Sequence, residues 1–389
     1  MPSSPVPELL TGNDAPVPDE TTLAALVTEG TVPVALSGQY LRIGPNPIAT
    51  APPCGRPSLD GMVHAVLLRG GRAVTYRNRW VTTDFVARTL GCDTVIGPPA
   101  TAIDSVAANV ITFAGRILAL GPGAMAYELD ETLVTVGRVD LVGGGRGIGA
   151  HPQIDPLTGA LHLVSYADEQ AHHIVSAGSQ TRITRPIPDA PGHVSDVLVT
   201  RRRFVLVGEG VVGITHREGS ARYRWTAGEL TEPVNAHDDD GAIVLTAGPT
   251  LARWAFDPAG RARCDVLDDT PQRFGRVNPG VVGDRPRFVW TVATGGGTEI
   301  YRHDLRTGER SNRDFGARRH PGELTFVPDP SRRHREDGGW LVGLVHDELR
   351  NEADLIVLDA AAIERPAVAT VRIPRRIPYG LHGTWVPAT

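Results

Sequence analysis

The chain has 389 residues, 41% of them hydrophobic, and a formal net charge of −5. That length can bury a sizeable core, in one large all-β domain or in two ordinary ones. The balance excludes a nucleic-acid footprint, which needs a clustered basic excess; Arg201-Arg202-Arg203 and Arg332-Arg333 are too short for one and read as solvated turns.

In chain order, the stretch from Met1 to Asp14 has neither a basic n-region nor an apolar h-region, so no signal peptide is expected. Residues 1–35 read as an extended or helical lead-in. The best helical candidate is 20–28, with Asp19 as its N-cap. Beyond it, short runs rich in β-branched and aromatic residues recur at 116–120, 161–166, 203–207, 242–246, 287–292, 340–345 and 355–358, lengths that suit strands. Between such runs lie hairpin signals: Arg69-Gly70-Gly71-Arg72, Asp155-Pro156-Leu157-Thr158-Gly159, Asp257-Pro258-Ala259-Gly260 and Leu305-Arg306-Thr307-Gly308. The stretch His237-Asp238-Asp239-Asp240-Gly241 reads as another turn, entering the strand at 242–246. Gly143-Gly144-Gly145-Arg146-Gly147 fits no phosphate-binding pattern and reads as a loop leading to His151.

Cys54, Cys92 and Cys264 are scattered with no CxxC spacing. That excludes a zinc-thiolate site or a disulfide framework and suits a reducing cytoplasm. No run approaches 18 apolar residues, so no stable membrane insertion is expected. So many short strands favour a β-propeller over a sandwich, because radial repetition protects strand edges. No low-complexity linker divides the chain, which reads as one domain over 1–389.

Eight segments, in order, resemble the carotenoid cleavage oxygenase family. They are Leu10-Thr11-Gly12-Asn13 with Ala15-Pro16-Val17; Gly38-Gln39-Tyr40-Leu41-Arg42-Ile43-Gly44-Pro45-Asn46-Pro47; Asp60-Gly61-Met62-Val63-His64-Ala65; Tyr76-Arg77-Asn78-Arg79-Trp80-Val81; Ala150-His151-Pro152-Gln153-Ile154-Asp155-Pro156; Val234-Asn235-Ala236; Gly322-Glu323-Leu324-Thr325-Phe326-Val327-Pro328; and Pro378-Tyr379-Gly380-Leu381-His382-Gly383-Thr384-Trp385-Val386. The resemblance implies a seven-bladed β-propeller with its active site on the axis. There, four histidines from separate inner strands would hold one Fe(II). It also implies oxidative cleavage of a polyene or stilbene double bond.

Carried over residue by residue, the resemblance places His151 and His382 at two of the four ligand positions. Ser195 stands at the second, within Ser195-Asp196-Val197-Leu198-Val199-Thr200. Glu232 stands at the third, within Thr231-Glu232-Pro233-Val234-Asn235-Ala236. Pro122 stands where a supporting carboxylate is common, and Glu323 matches another such carboxylate, which would orient a metal-bound imidazole.

Three chemistries stay open. His151, His382 and Glu232 have the composition of a two-histidine, one-carboxylate iron site, and His193 and His237 are nearby histidines that would compensate for the lost ones. Alternatively no metal is bound, and a His/Glu acid–base site with Ser195 isomerises, cyclises or cleaves its substrate. Ser195 lacks the GxSxG surroundings of a hydrolase nucleophile. A non-catalytic binder of an apolar ligand is the third reading. In each the partner is a small apolar molecule, isoprenoid or polyene; the sequence does not set the oligomeric state.

Overall fold

The computed structural model describes residues 11–48, 60–167, 170–178, 181–188, 194–217, 224–227, 230–239, 241–257 and 259–388. Their strands form seven antiparallel sheets of four or five strands. Five sheets are consecutive meanders, beginning with Asn109–Phe113, Gln153–Ile154, Val194–Val199, Pro233–Asp239 and Gln272–Arg276. The sheet that begins with Arg319–Pro328 takes Thr28–Gly30 as its outer edge. In the remaining sheet, the C-terminal strand Gly383–Pro387 lies beside Gly38–Pro45, with Gly38 opposite Pro387. Strands from the early and the late parts of the chain thus share sheets of the ring.

From Gln153–Ile154 round to Arg319–Pro328 the first strand of each sheet faces the first strand of the next, Arg319–Pro328 faces Gly383–Pro387, and Gly383–Pro387 meets Asn109–Phe113. Asn109 Nδ2 donates to the carbonyl of Ala150 at 3.0 Å, linking that strand to the segment carrying His151. This is an all-β propeller. Its core lies between successive sheets. Leu118, Leu120, Leu161 and Ile174 fill one interface, and Val205, Val212, Ala236 and Val244 another. Each fully buried Leu, Ile or Val contributes about 1.5–3 kcal/mol relative to exposure.

The expected strands are present: Arg116–Leu120, Leu161–Ala167, Arg203–Gly208, Gly241–Ala247, Phe288–Ala293, Gly339–Asp347 and Glu352–Asp359. The helix expected at 20–28 is absent. Thr21–Ala24 and Thr28–Gly30 are edge strands, Thr21 opposite Asn78 and Thr28 opposite Val371. The β-branched Thr21, Thr22, Val27 and Thr28 fit a pleated edge better than a helix. Among the described residues the α-helix lies instead at Asp84–Leu90, capped by the Thr83 side chain, which accepts from Val86 N–H. The turn expected at His237-Asp238-Asp239-Asp240-Gly241 is shorter than anticipated, because His237, Asp238 and Asp239 belong to the strand Pro233–Asp239. Among the described residues, no helix is long and apolar enough to cross a membrane.

Candidate active site

Four of the inner strands break register, at Val194/Asp196, Pro233/Asn235, Arg273/Arg276 and Pro321/Leu324. Bulges re-aim side chains and recur next to active sites. Here the breaks fall beside Ser195, Glu232, Phe274 and Glu323.

Glu323 is 3% exposed. Its Oε1 accepts from His382 Nδ1 at 2.8 Å and forms an ion pair with Arg276 Nη2 at 2.7 Å, while its Oε2 accepts from Gly383 N–H at 2.8 Å. Burial alone would raise this carboxyl, but the Arg276 charge and the hydrogen bonds from His382 and Gly383 hold it at about 2. An ionised carboxylate only accepts, so the proton on His382 sits at Nδ1 and Nε2 is left free. Arg276 Nε also donates to Leu324 O at 3.2 Å.

His151 precedes the short strand Gln153–Ile154 and forms a parallel bridge with Asp196. Its ring lies edge-on to that of His382, centroids 4.9 Å apart at 89°. Burial lowers the pKa of His151, and the Asp196 carboxylate opposes that shift. Phe274, in the left-handed region at φ 55°, places its ring 6.3 Å from His382. The Arg273 guanidinium stacks on that ring at 3.9 Å.

The structure brings His151, His382 and Glu323 together. Glu232 is near enough to influence His151 electrostatically, but both its oxygens are engaged. Arg273 Nη2 is 2.9 Å from Oε1, and Phe274 N–H donates to Oε2 at 2.9 Å. The hydroxyl of Ser195 donates to the adjacent Asp196 carboxylate. His237 lies apart from this group, 4% exposed, with Arg285, Arg253, Asp238 and Asp284 as its charged neighbours. Pro122 is exposed in the turn Gly121–Ala124 and supplies no carboxylate. His193 lies outside the described residues. Arg276, Arg273, Phe274 and Asp196 are site residues that sequence reasoning missed as such. The motif reading did quote Asp196, as a neighbour of Ser195.

A four-imidazole iron does not fit this donor set. Ser195 and Glu232, expected at the other two ligand positions, have side chains bound to Asp196 and to Arg273 and Phe274. Among the described residues, no three His, Cys, Asp or Glu side chains converge as ligands would.

The chain matches the family described as retinal pigment epithelial membrane protein over residues 14–232 and 214–387. A carotenoid cleavage oxygenase of Mycobacterium tuberculosis is 33% identical over 491 aligned positions, spanning 98% of this chain and 97% of the relative. Those positions outnumber this chain's 389 residues, so the relative carries insertions without counterpart here. An apocarotenoid-15,15'-oxygenase of Synechocystis sp. is 26% identical, spanning 92% of each chain. Among solved structures, a glutamate-to-glutamine variant of the Synechocystis apocarotenoid oxygenase superposes with a TM-score of 0.84 at 22% identity, over 97% of this chain and 98% of that one. That likeness shows the shared propeller fold.

Proposed function

This chain belongs to the retinal pigment epithelial membrane protein family of carotenoid cleavage oxygenases, and from that premise we propose an enzyme that acts on an extended isoprenoid or polyene substrate at the propeller axis. The seven sheets are read as seven blades of one domain. The reaction proposed is proton transfer that moves a double bond, with His382 as the base. The observation that carries this reading is the shared Glu323 oxygen, which fixes His382 with Nε2 free beside His151. A carboxylate-oriented imidazole is a standard arrangement for moving protons near neutral pH. Glu323, held at about 2, orients the ring and does not take up its proton. The second histidine, His151, 4.9 Å from His382 between ring centres, is assigned as the second proton carrier.

One observation favours a second reading, in which His151 and His382 share a metal ion and the chemistry is oxidative. The rings of His151 and His382, with centroids 4.9 Å apart, would be the ones to hold it. Iron would supply oxygen activation.

The two readings separate on protein purified after Fe(II) supplementation, assayed with a panel of polyenes in air and without oxygen. Turnover without oxygen, by protein lacking stoichiometric iron, supports proton transfer. Stoichiometric iron together with loss of turnover in the absence of oxygen overturns it. Tight binding with no turnover in either condition also overturns it and leaves a binding protein.

A further inference from the structure

We propose that the exposed edge strand Ala262–Asp268 docks antiparallel against the same strand of a second copy of this chain, centred on Cys264, to form a two-fold symmetric dimer.

Each blade of a propeller ends in an outer strand with one unpaired edge. Two of these edges are covered by the lead-in, Thr21–Ala24 along Arg72–Trp80 and Thr28–Gly30 along Ala369–Ile373. Ala262–Asp268 pairs with Leu251–Phe256 on one side only, and its Val266 is 59% exposed.

The alternation of the ladder shows which backbone groups are free. At the hairpin end, Asp257 N–H donates to Arg261 O at 3.0 Å. Hydrogen-bonded and non-hydrogen-bonded pairs alternate from there. Arg263 therefore bonds to Ala255 and Asp265 to Arg253, while Ala262, Cys264 and Val266 turn their N–H and C=O groups outward. Among the described residues, no backbone group from another sheet or loop meets them. The ladder shifts register between Ala252 and Leu251, so the regular edge runs from Ala262 to Val266 and its midpoint is Cys264.

Charge selects the partner and the register. Arg263 and Asp265 flank Cys264 on one face of the sheet, and their own ion pair, at 2.7 Å, lies at the surface. Such a pair contributes little and is easily exchanged. A copy centred on Cys264 sets each Arg263 opposite the partner's Asp265. Centring on Arg263 or on Asp265 instead sets that residue opposite itself, and like charges directly opposite destabilise a strand pair. Edge charges normally repel another strand. Opposite charges placed symmetrically about a midpoint attract a copy of the same strand, whereas a segment of uniform charge would meet a like sign at one position. The register about Cys264 also uses every outward group of the regular edge, each pair exchanging two hydrogen bonds. On the other face, Val266 covers the partner's Ala262. The two exposed Cys264 residues become neighbours, with Cα atoms about 5.5 Å apart, a separation that a disulfide spans. The contact is self-complementary, as a two-fold axis requires. A strand pair buries less than the roughly 1,200–2,000 Å² of a stable interface, so the expected Kd is on the order of tens of micromolar.

The test uses the full chain carrying C54S and C92S, which leaves Cys264 as its one thiol. Sedimentation equilibrium should show a reversible monomer–dimer equilibrium. Diamide, which takes up the two electrons and two protons released by two thiols, should join the dimer through Cys264, read as a reducible dimer band and a self-linked Cys264 peptide. R263D and D265R each set like charges opposite one another. Each should weaken dimerisation at least about tenfold, because the contact occurs twice by symmetry. The exchange variant R263D/D265R restores opposite charges and should restore both the dimer and the cross-link. A Tm within about 2 °C of the parent shows that a variant is folded, and the exchange variant still decides the matter if a single reversal is not. A chain that stays monomeric at about ten times the expected Kd, a dimer whose Cys264 does not cross-link, folded single reversals that dimerise like the parent, or an exchange variant that does not recover each overturns the proposal.

Discussion

Glu323 offers a single carboxylate oxygen to both His382 and Arg276, at 2.8 and 2.7 Å. Removing its charge should therefore damage stability and chemistry together. Glu323→Gln keeps the shape but sets an NH2 group against Arg276, His382 or the Gly383 N–H. The loss expected is about 3–5 kcal/mol in urea unfolding, the usual cost of breaking a buried pair on one side. A loss below about 1 kcal/mol would show that the cluster is more hydrated than it appears here.

The side chains of Ser195 and Glu232 are engaged elsewhere, which ranks the axis substitutions. Ser195→Ala removes a hydroxyl bonded to Asp196 and should change turnover by less than about threefold. Glu232→Gln disturbs the Arg273 and Phe274 contacts and should cost roughly tenfold. His382→Ala should cost at least about a hundredfold. Steady-state turnover of the three variants checks the order, and a Ser195→Ala defect as large as that of His382→Ala would contradict it.

Much of this site was legible because its residues sit in motifs of fixed spacing. His151, His382 and Glu323 are such residues, and the structure brings them together. Arg276 and Arg273 were not legible. They lie on a strand that loses register between them, so no period-2 pattern assigns their direction. For Ser195 and Glu232, no sequence rule shows that Asp196, Arg273 and Phe274 hold their polar atoms. The strands were readable from β-branched runs and turn residues. The lead-in was not, because Thr21–Ala24 is a strand only through its pairing with Arg72–Trp80, more than fifty residues away.

Gly61, within the Asp60-Gly61-Met62 motif, has a physical reason to be glycine. A Cβ there would lie 1.7 Å from the carbonyl oxygen of Val106. Backbone would have to move, so Gly61→Ala should destabilise by about 2–4 kcal/mol or prevent folding. Gly70→Ala has open space around its Cβ but sits at φ 57°. It should cost only about 1 kcal/mol. Chemical denaturation of the pair checks the contrast.

Stability should fall on mild acidification. Burial lowers His162 and His303 to about 4, and His173, whose Nε2 is 3.0 Å from His162 Nδ1, is also lowered by burial. Unfolded, these imidazoles titrate near 6.5. The unfolded chain thus binds more protons between pH 6.5 and 4, so their contribution is complete above 6.5 and is lost as pH falls through that window. Tm should drop by about 3–6 °C from pH 7.5 to 5.0. A flat Tm over that range would show that these rings are protonated in the fold.

The most direct test of the axis chemistry is solvent deuterium in material recovered after incubating a conjugated polyene aldehyde with the enzyme in heavy water without oxygen. Proton transfer at His382 predicts deuterium at a skeletal carbon in the wild type and its loss in His382→Ala. No deuterium in the wild type, with products formed only in air and carrying oxygen from dioxygen, would contradict it.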